Sequence, residues 1–213
     1  MKKITYLIIS LITASTTALA QGKGNVEFTF GAGLNTSNVS SYYDNSDYNI
    51  SYNAEAGADY YFSESWSIKA KVIYDKKGWD NGFIFIESDT PGLPSDSYRT
   101  DYNLDYITVP LMANWHFGRT KNWYLNFGPY VGFLLNAEDT TFNFDLTEGF
   151  NNTDAGLAFG IGVKIPVSEY LKIFIEYDGQ SGFTEIFNEV DGNNSATITN
   201  SRGAFNVGIN FML

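Results

Sequence analysis

The chain has 213 residues, no cysteine and a formal net charge of −11, so one domain is expected, without disulfides or a thiol site. The acidic balance repels phosphate backbones and argues against a nucleic-acid partner. Aromatic residues make up 17% of the chain, a content suited to strands and to membrane interfaces.

The first twenty residues read MKKITYLIISLITASTTALA. Lys2 and Lys3 precede an apolar stretch, Tyr6 to Ala14, and Ala18-Leu19-Ala20 supplies small residues for cleavage, so residues 1–20 are expected to be a secretory signal peptide. The apolar stretch is too short to span a bilayer. The mature domain is then 21–213, and loss of Lys2 and Lys3 takes the formal charge from −11 to −13. No helical periodicity follows, and no run reaches 18 apolar residues. A membrane form of this chain must therefore cross as strands.

Eight alternating segments follow in chain order. The first, 25–36, sets Val26, Phe28, Phe30, Ala32 and Leu34 against Glu27, Thr29, Gly31, Gly33 and Asn35, which is the period of a strand with one oily face. The same pattern predicts strands over 49–62, 66–75, 106–117, 123–136, 154–165, 171–178 and 203–213. Most approach the roughly 9–11 residues that a tilted strand needs to cross a bilayer. The connections at 63–65, 118–122 and 166–170 are short. Those at 37–48, 76–105, 137–153 and 179–202 are long and rich in Asn, Asp, Ser and Gly. Short turns on one side and long loops on the other describe an all-β, eight-stranded, antiparallel up-and-down transmembrane barrel.

Alternation alone leaves open which face points inward, since a soluble lipocalin-like barrel alternates too. Two features favour lipid outside. Glycines crowd the polar face (Gly31, Gly33, Gly57, Gly128, Gly132, Gly156, Gly160, Gly162, Gly208), where a narrow bore needs room and a solvated face would only lose stability. Trp66, Trp115 and Trp123 sit beside short turns, with Phe62, Phe117 and Tyr170 near them, as in an aromatic girdle at one membrane edge.

The polar face then lines the lumen. It sets Glu27, Glu55, Asp59, Glu176 and Asp178 against Lys69, Lys71, Lys164 and Lys172. Buried charges are costly unless paired, so a structural salt network filling the bore is expected. A symmetric turn at 62–66 puts Asp59 across from Lys69 and Glu55 diagonal to Lys71. Lys164 and Lys172 would face each other and need carboxylates from elsewhere, with Glu27 and Glu176 as candidates. Pro110 and Pro129 fall inside strands paired on both sides, and each removes a ladder donor, so bulges are expected there.

Gly31-Ala-Gly-Leu-Asn35, Tyr106-Ile-Thr-Val-Pro-Leu111, Gly128-Pro-Tyr-Val-Gly132, Ala155-Gly-Leu-Ala-Phe-Gly-Ile-Gly162 and Glu176-Tyr177 together resemble the PorT-like outer-membrane β-barrel family. They also fit small barrels of the OmpA and OmpX type. The resemblance covers nearly all of the mature chain and implies a small barrel in the outer membrane of a Gram-negative bacterium. It implies no shared activity and carries over no functional residue. The final strand, with Phe205, Val207, Ile209 and Phe211 in step, resembles a signal for the barrel-assembly machinery, although it ends in Leu213 and not in an aromatic residue.

Little in the chain points to chemistry. His116 is the sole histidine, placed at the periplasmic end of the fourth strand and near Tyr124, where a hydrogen-bonded lumen role is expected. One histidine without cysteine makes no zinc set. The acidic runs Asp44-Asn-Ser-Asp47 and Asp191-Gly-Asn-Asn194 lack the closing glutamate of a calcium loop. Residues 82–96 read as a hairpin above the membrane, turning at Pro91-Gly92, with Phe83 to Ile86 as a possible adhesive edge or as packing for the other loops. The expectation is a non-enzymatic outer-membrane barrel with no cofactor and no metal. Its partners are outer-membrane lipids, the assembly machinery during biogenesis and an unidentified surface ligand. A small channel or transport accessory, a surface lipid-modifying enzyme and a soluble binder of apolar ligands are the rivals.

Overall fold

A computed structural model of the chain describes residues 23–40, 46–86, 96–188 and 197–212. The proposed signal peptide, the Pro91-Gly92 turn, Leu213 and most of the two acidic runs lie outside them. Eight strands follow in order: β1 (Val26–Ser40), β2 (Asp47–Tyr61), β3 (Trp66–Ile86), β4 (Asp96–Phe117), β5 (Trp123–Asp139), β6 (Thr153–Pro166), β7 (Leu171–Gly182) and β8 (Thr199–Met212). Each pairs antiparallel with its chain neighbours, and β8 pairs with β1, so the sheet closes into an up-and-down barrel without a free edge along the ring.

The strands run further toward the long loops than the oily alternation suggests. β1 continues to Ser40, with Thr36, Asn38 and Ser40 on its outer side, and still pairs with β8 there. The outer face turns polar while the ladder persists, because those residues stand above the lipid. β3 and β4 form the tallest hairpin, paired up to Ile86 opposite Asp96.

Bulges fall elsewhere than at the prolines. Register shifts occur between Tyr48 and Asn53, between Trp79 and Gly82, and between Asp105 and Tyr106. At Pro110 and Pro129 the pairing is interrupted while the register is kept: Ala70–Leu111 and Ile73–Thr108 lie in step, as do Pro110–Tyr130 and Ala113–Phe127. A missing N–H removes bonds from a ladder without requiring an extra residue, so the expectation of bulges there is corrected.

The faces are assigned by exposure. Phe127 is 55% exposed, Phe159 52% and Val207 50%, while their chain neighbours Asn126, Ala158 and Asn206 are at 2%, 6% and 0%. The oily face is outside, which removes the soluble reading with its apolar interior. At the short-turn end Trp66 stacks on Trp115 and Trp115 on Phe117, with Trp123, Phe62 and Tyr170 also exposed on that rim. Two of the short turns share one device: Ser63 Oγ accepts the N–H groups of Ser65 and Trp66, and Ser168 Oγ those of Tyr170 and Leu171.

Candidate functional site in the lumen and at its loop end

Inward side chains fill the bore in layers. At the short-turn end, Glu27 accepts from Lys164 through Oε1 and from Lys172 through Oε2, the latter at 2.7 Å. Lys164 also reaches Tyr61 Oη at 2.9 Å and Asp59 Oδ2 at 3.3 Å. Asp59 lies opposite Lys69 in the ladder, and their ion pair is 3.6 Å. Its oxygens also accept from Ser67 Oγ at 2.9 Å and from Asn114 Nδ2 at 3.1 Å. One layer up, Lys71 Nζ donates to Glu55 at 2.9 Å and to Glu176, with Asp178 at 3.7 Å. Glu176 also accepts from Asn126 at 2.9 Å and lies 3.7 Å from Lys69.

Every lysine and carboxylate singled out in the sequence thus lies buried in one connected set. Two details differ from the expectation. Lys164 stands opposite Phe174 and Lys172 opposite Pro166, because the hairpin turns about Glu169 and not Ser168. Glu176 serves Lys71 and Lys69, leaving Glu27 to hold both Lys164 and Lys172.

Four further charges belong to the same column. Arg202 donates to Asp75 at 3.0 Å and to Asp178, and Lys77 donates to Asp154 at 2.9 Å beneath the rings of Tyr106 and Tyr130. Lys77 and Arg202 fall just beyond the expected strand ends, and Asp75 and Asp154, terminal residues of expected strands, were left without these partners and so were not counted among the inward charges. The signal was present: Lys69, Lys71, Ile73, Asp75 and Lys77 keep one parity, as do Arg202, Ala204 and Asn206.

The glycines make room for large inward neighbours. A Cβ on Gly162 would stand 2.4 Å from the Tyr124 ring, and one on Gly31 or Gly208 would run into Phe174 at 2.6 or 2.5 Å. Tyr124 and Phe174 each need a glycine on the adjacent strand to lie flat across the bore.

The constellations with catalytic or metal-binding potential are otherwise engaged. Ser67 Oγ lies 3.0 Å from His116 Nε2, a spacing that resembles a nucleophile and its base. The Ser67 proton goes to Asp59, so the hydroxyl oxygen accepts from His116 Nε2–H, the reverse of the direction that activates serine. Both residues are fully buried. Among the described residues, Glu55, Glu176 and Asp178 bring oxygens within 4.8 Å of one another, and the Lys71 ammonium sits among them.

Above the charges the filling turns apolar. Val39, Trp79, Tyr102, Leu104, Tyr106, Ala137, Phe150 and Ile186 form a buried cluster, joined by Leu146, Phe187 and Ile198 from the loops. Trp79 stacks on Tyr102 with ring centres 4.5 Å apart, and Phe150 lies 4.9 Å from Phe187. Carboxylates tie the loops down. Asp139 accepts the N–H groups of Phe142 at 2.7 Å and Phe144 at 2.8 Å. Burial pushes the Asp139 carboxyl up, but these backbone donors outweigh it and hold the group below its ordinary range. Glu185 accepts the N–H groups of Ile186 at 3.1 Å and Ile198 at 2.8 Å.

An oily exterior, a charged and filled bore, a girdle at the turn end and loops at the other define an integral outer-membrane β-barrel. The chain belongs to the outer membrane protein beta-barrel domain family, whose model matches residues 19–188. Its fold is similar to that of the outer membrane protein OprG from Pseudomonas aeruginosa (12% identity, 92% of this chain and 99% of that one, TM-score 0.51). It is also similar to that of Neisserial surface protein A (14% identity, 86% and 96%, TM-score 0.50). No curated relative matches. The protein resides in the outer membrane of a Gram-negative bacterium, in contact with its lipids.

Proposed function

We propose that this is a non-enzymatic barrel with a closed bore, acting in the membrane as a structural element or in surface recognition through its extracellular loops. The observation that carries the reading is the filling of the lumen: six buried cations meet seven buried carboxylates through the membrane layer, and an aromatic cluster caps them. The void beside Lys71, Asp178 and Gln180 is about 10 Å³, room for no more than one water. Solute flow would require breaking ion pairs that are expensive to separate in a low-dielectric setting. His116 and Ser67 offer no accessible nucleophile.

Kinship with PorT-like barrels, supported by the short glycine and proline motifs, adds no activity. Removal of residues 1–20 as a secretory signal and delivery by the barrel-assembly machinery complete the proposal. The outward Phe205, Val207 and Ile209 of β8 support that delivery, and N-terminal sequencing of the outer-membrane form, expected to begin at Gln21, tests the cleavage.

The deciding experiment is reconstitution of the purified protein in planar bilayers. The expected result is no stepwise conductance. Reproducible unitary steps would overturn the closed-bore reading in favour of the small channel.

A further inference from the structure

At the loop end, directly on the aromatic cluster, lies a cleft of about 530 Å³ lined by Phe83, Tyr102, Phe150 and Phe187, with Asp145 and Glu148 at its edge. Its size falls within the range of small-molecule sites. The floor is stiff. Tyr102 is stacked on Trp79 and donates its hydroxyl to the Phe83 carbonyl at 2.8 Å, while Phe150 packs against Trp79, Tyr102 and Phe187.

The described side chains that line the cleft include two acids, Asp145 and Glu148, and no base. The loop sequences 41–46, 87–95, 140–152 and 183–198 carry eight carboxylates (Asp44, Glu87, Asp89, Asp145, Glu148, Glu185, Glu189, Asp191) and no lysine or arginine. Asp145 and Glu148 are exposed. The Thr147 N–H, 3.0 Å from Asp145 Oδ1, holds that carboxyl below its ordinary range, so it stays anionic as the pH falls. The cationic head of Arg99 lies 5.0 Å from the Phe83 ring centre, so one wall of the cleft already receives a planar cation from the chain itself.

We propose that this cleft binds a small organic cation with an aromatic or branched apolar body. The rings take the body and face the charge through their quadrupoles, and Asp145 and Glu148 draw the cation in from outside. The charged column and apolar cap beneath make the cleft blind, so the ligand is held at the surface and not passed inward. The proposal rests on the surface-recognition reading and names its ligand chemistry.

The test is calorimetric titration of the full refolded barrel in zwitterionic micelles with benzyltrimethylammonium. Tetramethylammonium supplies the charge without the body, benzyl alcohol the body without the charge, and calcium a bare cation. The expected result is saturable one-to-one binding of benzyltrimethylammonium, at least about tenfold tighter than any of the three. Asp145→Asn with Glu148→Gln should weaken it about tenfold, while Glu64→Gln at the opposite end leaves it unchanged. Both sets of changes fall on exposed side chains, and heat-modifiable gel migration verifies that each variant folds. Absence of saturation, equal binding of benzyl alcohol or calcium, or equal weakening by Glu64→Gln would overturn the proposal. Conductance of the same preparation reports separately on the closed bore, so loss of the cleft reading leaves that one standing.

Discussion

The membrane layer of the bore and its loop end answer one requirement, filling a narrow eight-stranded ring, with opposite chemistry. At membrane depth the filler is charge. Glu27, Glu55, Asp59 and Glu176 interlock with Lys69, Lys71, Lys164 and Lys172, and the strand walls that hold them are oily only on the outside. At the loop end the filler is Trp79, Tyr102, Phe150, Ile186 and Phe187. The alternating pattern explains the first choice: a strand whose outer face must be apolar for lipid keeps its identity by being polar within, and a one-residue slip would put every charge into hydrocarbon. Above the lipid that constraint lifts, and ordinary hydrophobic burial closes the end.

Two substitutions sharpen the contrast, the larger effect first. Lys71→Met leaves Glu55, Glu176 and Asp178 without their shared ammonium. Loss of one partner from a buried ion set costs about 3–5 kcal/mol. The expected outcome is a large drop in the urea midpoint of the whole barrel, followed as the shift between folded and unfolded bands on a gel. Phe150→Ala removes a ring from the cap and costs about 3 kcal/mol, the lower end for a buried phenylalanine. Its effect should be local, with protease sensitivity appearing in the 140–152 and 183–198 loops while the barrel midpoint moves little. If instead Phe150→Ala unfolds the barrel and Lys71→Met only loosens the loops, the division of labour is reversed.

The same contrast governs what the sequence disclosed. The lower lumen was legible because period-two alternation fixes each side chain's face and short turns fix the register: Asp59 opposite Lys69 follows from the turn at 62–66. One residue of turn asymmetry was enough to misplace Lys164 against Lys172. Lys77 and Arg202 escaped because their strands were ended where the outer face turns polar, although the inner parity runs on, and Asp75 and Asp154, at the very ends of expected strands, lost their partners with them. The aromatic cap was not legible, since Phe150, Ile186 and Phe187 come from long connections in which no periodicity says which side chains meet. The prolines misled in a different way. A lost donor reads in sequence as a kink, whereas here neighbouring ladder pairs keep the register on both sides.

Everything above depends on which face meets lipid. The most direct measurement is nuclear Overhauser transfer from acyl-chain methylenes to assigned side chains of the barrel in lipid nanodiscs. The account predicts strong cross-peaks to Phe127, Phe159 and Val207 and none to their chain neighbours Asn126, Ala158 and Asn206. Cross-peaks to that second trio, with the first silent, would contradict it.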